Sequence, residues 1–336
     1  MPEHPNRPHR PSLYPDIEPY DHGFLDVGDG NRVYWETCGN PEGKPAVVLH
    51  GGPGSGASPF YRRYFDPERY RIVLLDQRGA GRSTPSVSAY DTDMSVNTIP
   101  HLIADLELLR AHLGIERWLV WGGSFGCVLG LRYAQTHPHA VTELVLTGLA
   151  TGSREEVATM MRGLGKVFPQ AYEEFRAGVP EAERDGDLAA AYHRLLESPD
   201  AEVRERAALA WTDWETALVS LPPRSIPRYQ DPVFRYGFAR TVAHYWAQDH
   251  FLDGPDTVLR DLPLLKGIPG VLVQGTLDLN NLIGIPWRIA RDWPDAELVM
   301  VDSAGHNAGA PGIAEHLAGA ADRFSERSGP ASRSGA

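Results

Sequence analysis

Cysteine is nearly absent from this 336-residue chain: Cys38 and Cys127 are the only two, too few for a disulfide framework. Cys127 lies in an apolar stretch, which predicts a small buried hydrophobe in a reducing compartment. No apolar run approaches the ~18–20 residues that span a bilayer. The opening "MPEHPNRPHRPSLYPDIEPY" is proline-rich and polar, without the apolar core of a signal peptide. Basic residues are outnumbered, 32 against 44 acidic ones, giving a formal net charge of −12. Nucleic acid and anionic membranes both require clustered Lys and Arg, so neither is expected as a partner. The histidines form no H-E-x-x-H motif and no Cys/His ligand spacing, so neither a metal nor another cofactor is implied. Together these features predict a cytoplasmic protein.

What is present is ordinary globular composition, 42% hydrophobic and 23% charged. After a loose N-terminus, "RVYWETCG", "PAVVLH" and "RIVLLD" are short apolar runs bounded by turns, the pattern of buried strands in a mostly parallel sheet. "IADLELLRAHLG" has helical periodicity, with Leu106, Leu109 and Leu113 on one face, and Gly114 stops it. "RWLVWGG", "CVLGLRYAQTHP" and "VTELVLTG" then read as strand, helix and strand. This alternation predicts an α/β fold with helices on both faces of the sheet. From about Thr151 to Asp261 strand-like runs vanish and Ala-, Glu- and Arg-rich helical patterns take over. Alternation returns with "GVLVQGTLD", "IPWRIARDWP" and "ELVMVDSAGH". The expected organisation is a core of residues 1–150 and 262–326, a helical cap at 151–261, and a disordered tail at 327–336.

Between a predicted strand and a predicted helix stands Gly122-Gly123-Ser124-Phe125-Gly126, a G-x-S-x-G match in the context that motif requires. Ser124 is expected at the tip of a strained turn that holds Oγ toward substrate. The flanking glycines are expected where neighbouring chain passes through the space a Cβ would fill. A serine hydroxyl needs an adjacent base. His306 ends "ELVMVDSAGH" directly after the last predicted strand, and Asp278 ends "GVLVQGTLD" directly after the preceding one. Their order, Ser then acid then His, suits the motif. Asp302 is the rival acid, but it lies at the edge of the final strand, too near His306 in sequence to face it from another strand.

"HGGPG", His50 to Gly54, follows an early strand and suits an oxyanion loop, with the N–H groups of Gly52 and Phe125 as the two donors. His50 reads as a residue that positions this loop. "DQRGAGRS" holds two glycines after a strand but lacks the G-K-[ST] end of a phosphate loop, so it reads as a structural turn.

Taken together, "HGGPG", "DQRGAGRST", "GGSFG", "GTLD" and "AGH" resemble the proline iminopeptidases, serine peptidases of the α/β-hydrolase fold with a helical cap. The resemblance runs from about Leu13 to Phe324 and includes the cap segments "AWTDWE" and "AHYW". It implies catalytic roles for Ser124, Asp278 and His306 and oxyanion donors at Gly52 and Phe125. That family binds the substrate's free α-amino group through cap glutamates, and one of them matches Glu215. Asp249 is expected to assist it. Trp211, Trp214, Tyr245 and Trp246 are expected to line the substrate-facing side of the cap.

The sequence departs from the family pattern at four places. Val242 replaces the second glutamate, and Phe125 stands where tryptophan is usual. "LNNL", which contains Asn281, follows the acid, and Ala310 replaces a glutamate after the histidine. Each change is expected where the amino-terminal residue binds. The leading reading is therefore an amide hydrolase that removes an N-terminal amino acid, such as Pro or Ala, from a small peptide or aminoacyl amide. A relative that unmasks aminoacyl-protected intermediates in macrolactam biosynthesis offers a specialised form of it. A carboxylic ester or thioester hydrolase on the same triad is the alternative. A non-enzymatic binding protein on this scaffold would usually have lost a triad member.

Overall fold

The computed structural model describes residues 13–219 and 226–326. The expected tail at 327–336 lies outside them. Eight strands form one sheet in the order β1-β2-β4-β3-β5-β6-β7-β8: Pro19–Asp26, Arg32–Gly39, Lys44–Leu49, Tyr70–Asp76, Trp118–Gly123, Val141–Thr147, Gly270–Gly275 and Ala296–Val301, numbered in chain order. β1 and β2 are antiparallel to their neighbours, and from β4 to β8 every pairing is parallel.

The continuous apolar runs have a direct cause. Side chains alternate between the two faces of a strand, and here both faces are covered. Val47, Leu49, Val73, Leu75 and Val120 enter one core, with helices α1 (Ile99–His112), α2 (Phe125–Thr136) and α9 (Ile285–Asp292). Ala46, Val48, Ile72, Leu74 and Trp121 enter the opposite core, with α10 (Ile313–Ser325). Parallel sheets buried in this way need apolar residues at every position. β1 was not anticipated from sequence. "PYDHGFLD" carries no β-branched residue, and most of the strand is exposed at the sheet edge. It is held by backbone pairing with β2.

Between β6 and β7 the described residues contain helices only: α3 (Arg154–Met161), α4 (Pro169–Ala177), α5 (Leu188–Leu196), α6 (Ala201–Val219), α7 (Pro232–Trp246) and α8 (Thr257–Arg260), with short 3₁₀ turns. They have an apolar core of their own, from Met161 to Ala243. From Tyr245 onward the chain packs on the core beneath the sheet, through Tyr245, Val258, Leu259, Leu262 and Leu265. Among the described residues no helix is long and apolar enough to cross a membrane.

Candidate active site

β5 ends in the serine turn. Ser124 has φ 57° and ψ −122°, a conformation that costs a non-glycine residue of order 1–3 kcal/mol and needs a surrounding structure to enforce it. The enforcement is visible. A Cβ at Gly126 would lie 2.2 Å from the Leu49 carbonyl oxygen, and one at Gly122 would lie 2.4 Å from that of Gly126. The turn can therefore press against the end of β3 only because both residues are glycine. The Ser124 N–H donates to Thr147 O at 3.0 Å, which ties the turn to β6. Phe125 opens α2, so its amide points out of the helix N-terminus without an intrahelical acceptor. Gly52 and Phe125 both border the space beside Ser124.

The turn after β7 and the loop after β8 supply an acid and an imidazole. His306 Nδ1 donates to Asp278 Oδ2 at 2.7 Å. Asp278 is buried, and its other oxygen accepts the Asn280 N–H at 3.1 Å. Burial pushes this carboxyl up, but the charge and hydrogen bond of His306, with the Asn280 amide, outweigh burial and hold it below the usual carboxylate range. For His306 burial is again the largest single influence and disfavours the imidazolium. The Asp278 carboxylate and the more distant Glu215 overcome it, leaving the imidazole above its ordinary value. Asp302 is exposed and makes no such contact.

Two cavities meet at Ser124, Gly52, Glu215 and His306. The smaller, about 90 Å³, is walled by Phe125, Val128, Met160, Leu218 and Trp246, with Glu156 also on its lining. An apolar cavity of ~150 Å³ holds benzene, so this one suits a saturated five-membered ring or a methyl group. The larger, about 840 Å³, runs past Tyr61, Tyr229 and Ala310. Glu215 projects from α6 beside both. It makes no hydrogen bond among the described residues, and burial raises its pKa, partly countered by His306 and Arg228. Glu156 is already engaged, accepting from the Thr151 N–H and hydroxyl and from the Ser153 N–H.

Several expected lining residues stand elsewhere. Trp211 and Trp214 are buried in the insertion's own core, where Trp214 stacks on Phe175 at 5.5 Å and donates to Met160 O at 3.2 Å. Tyr245 lies one layer behind the site, edge-on to Phe125 at 5.0 Å, with its hydroxyl donating to Asn97 Oδ1 at 2.9 Å. Of the four aromatics expected to face substrate, only Trp246 lines the small cavity. Asp249 turns outward and pairs with Arg154 at 2.5 Å. The cause is a kink in which Asp249, His250 and Phe251 all have positive φ, sending His250 inward instead. Buried His250 lines the small cavity and stacks on Phe125, and burial lowers its pKa to about 4, so it is neutral. No motif in the sequence marked His250 or Met160.

The four departures do not gather in one pocket. Val242 is buried in the insertion's core, Phe125 lines the small cavity, Ala310 lines the large one, and Asn281 donates to Gly275 O at 2.7 Å. His50 bridges two strand ends, its Nε2 accepting from the Gln77 N–H at 3.0 Å, as a loop-positioning residue does. In "DQRGAGRS", Asp76 accepts from the Ala57 and Arg82 amides and from Arg82 Nε. That loop is a turn closed on a carboxylate, not a phosphate cradle. Cys127 is buried beneath the serine turn with its thiol pushed up to about 12 by burial.

The model of the alpha/beta hydrolase fold matches residues 44–311. A probable proline iminopeptidase of Streptomyces coelicolor is 71% identical over 316 residues, covering 93% of this chain and 98% of the relative. A proline iminopeptidase of Xylella fastidiosa is 44% identical, covering 93% and 99%. The crystal structure of proline iminopeptidase from Mycobacterium smegmatis superposes with a TM-score of 0.58 at 20% identity, covering 90% of this chain and 97% of that one, a likeness of fold. With the strand order, the strained serine turn and these matches over nearly the whole chain, the protein belongs to the proline iminopeptidase family of the alpha/beta hydrolase fold.

Proposed function

We propose that this protein is a serine aminopeptidase that removes an N-terminal proline from small peptides. The observation that carries this reading is a convergence: a strained serine, an Asp-paired imidazole and the Glu215 carboxylate meet beside a cavity of about 90 Å³. In this reading the proline ring fills the small cavity and its ammonium faces Glu215. Ser124 Oγ attacks the carbonyl while His306 takes its proton, and the amides of Gly52 and Phe125 receive the oxyanion. His306 then protonates the departing amine, the Ser124–acyl bond persists, and a water activated by His306 hydrolyses it. Asp278 fixes the imidazole tautomer and stabilises the imidazolium. Residues 151–261 serve as a cap over a core of 1–150 and 262–326. Two free, buried cysteines suit a cytoplasmic enzyme.

The deciding experiment is Glu215→Gln measured on paired substrates. A charge-assisted contact to an ammonium is worth ~1.5–3 kcal/mol, so kcat/KM for prolyl anilides falls roughly 10- to 150-fold. Slow hydrolysis of amine-free nitrophenyl esters changes little. Equal losses on both classes make Glu215 structural. Full-rate turnover of N-acetylated or amine-free substrates, indifferent to Glu215, identifies an esterase instead.

Gly148 offers a test of how tightly His306 is seated. It follows β6 with φ +58°, and a Cβ there would lie 2.9 Å from His306 Cε1. Gly148→Ala therefore displaces the imidazole, and misplacement of about 1 Å costs ~100-fold in rate. The expected result is a fall in kcat of roughly 10- to 100-fold, with a lowered Tm from the strained backbone. Unchanged kcat in the folded variant means that the ring tolerates displacement and is not held in a single working position.

A further inference from the structure

The large cavity joins the small one at Ser124, so a substrate whose proline fills the small cavity sends its remaining residues into the large one. Aromatic side chains, among them Tyr61, Tyr229 and Phe238, form much of its wall, and Arg228 adds a guanidinium. Other arginines of this region are committed to carboxylates: Arg62 to Glu36, Arg82 to Asp76, Arg235 to Glu205 and Arg240 to Glu197. Arg228 makes no ion pair among the described residues. Its guanidinium carbon lies 5.1 Å from the Phe234 ring centre and 5.8 Å from that of Tyr229. Stacking of this kind orients the planar group without neutralising it. The cavity system thus presents a carboxylate, Glu215, beside the nucleophile and, on the leaving-group side, a cation with no ion-pair partner among the described residues, although its charge also reaches Glu215. A short peptide carries the complementary pair of charges, an ammonium at its N-terminus and a carboxylate at its C-terminus.

We infer that the large cavity is a leaving-group subsite for short peptides with a free C-terminal carboxylate, and that Arg228 is the residue that selects them. This rests on the aminopeptidase reading and goes beyond it by naming the substrate class. Each added residue carries the carboxylate about 3.3–3.6 Å farther along an extended chain, so the preference is strongest at one peptide length and falls beyond it.

The test compares Pro-Gly, Pro-Gly-Gly and Pro-Gly-Gly-Gly with their C-terminal amides, in the wild type and in Arg228→Gln and Arg228→Lys. At low ionic strength the wild type favours the acid over the amide at its best length by about fivefold in kcat/KM, expressed in KM, as an ion pair in a solvated groove allows. Arg228→Gln brings the acid-to-amide ratio close to one, Arg228→Lys keeps part of it, and added salt narrows it in the wild type. Using a ratio cancels any effect of Arg228 on Glu215, since both substrates bear the same free proline. A wild-type ratio of one at every length, or a preference that survives Arg228→Gln, overturns the inference and leaves the aminopeptidase reading standing. Failure to cleave either series overturns both.

Discussion

Ser124→Ala and His306→Ala each lower kcat by roughly four to six orders of magnitude, with the fold retained. In a triad the members act as one unit, so removing the nucleophile or the base costs about as much as removing all three. What survives comes from the oxyanion donors and substrate binding, some 10³–10⁴-fold over water. The fold survives because Ser124 occupies its φ of 57° through the contacts of Gly122 and Gly126, which alanine leaves intact. The measurement is single-turnover and steady-state hydrolysis of a prolyl anilide, with circular dichroism to verify folding. Near-wild-type turnover in folded Ser124→Ala removes the covalent mechanism.

Asp278→Asn costs somewhat less, about 10⁴-fold in kcat, and it moves the pH profile as well. Asparagine keeps the shape but offers an N–H where His306 Nδ1 needs an acceptor, so the wrong tautomer is favoured. The sign of the pH effect follows from the charges. Asp278 and Glu215 hold the His306 pKa above its ordinary value against the opposing influence of burial. His306 must be neutral to act as base, so the acid limb of kcat/KM in the wild type lies above the ordinary histidine value of ~6.5. With the carboxylate gone, burial is less opposed and the acid limb moves to lower pH. Glu215→Gln shifts it in the same direction by less, because Glu215 ranks below Asp278 among the influences on the ring. An acid limb unmoved by Asp278→Asn assigns that limb to another group.

The proposed catalytic constellation could be placed from the sequence because its members lie in turns and loops that follow strands, and strand ends announce themselves. "RWLVWGG" must stop where Gly122 and Gly126 replace side chains. "GVLVQGTLD" passes from the fully buried strand β7 into Asp278, and "ELVMVDSAGH" passes from the half-exposed edge strand β8 through a short loop to His306. Parallel alternation then forces these ends to one edge of the sheet, so the joining of His306 to Asp278 at 2.7 Å follows from topology. The helical character of the insertion was equally plain, since strand-like runs cease for its whole length.

Which residues of that insertion face the small cavity was not legible. A tryptophan on a helix reads the same whether it turns toward substrate or toward the next helix. Trp214 stacks on Phe175, while Trp246 faces the site, because α6 and α7 are rotated by their packing on α4 and α5 and not by their own periodicity. Asp249, expected to face the substrate, turns outward and His250 turns inward through three consecutive positive-φ residues, a backbone turn that "QDHF", lacking glycine, does not signal. The sequence by itself thus determined the strand ends, the polar residues that follow them and the helical character of the insertion, since local pattern is enough for each. Only the tertiary structure decided what the cavity is made of and which charged side chains border it without an ion-pair partner among the described residues, because these depend on how helices distant in sequence pack against the sheet.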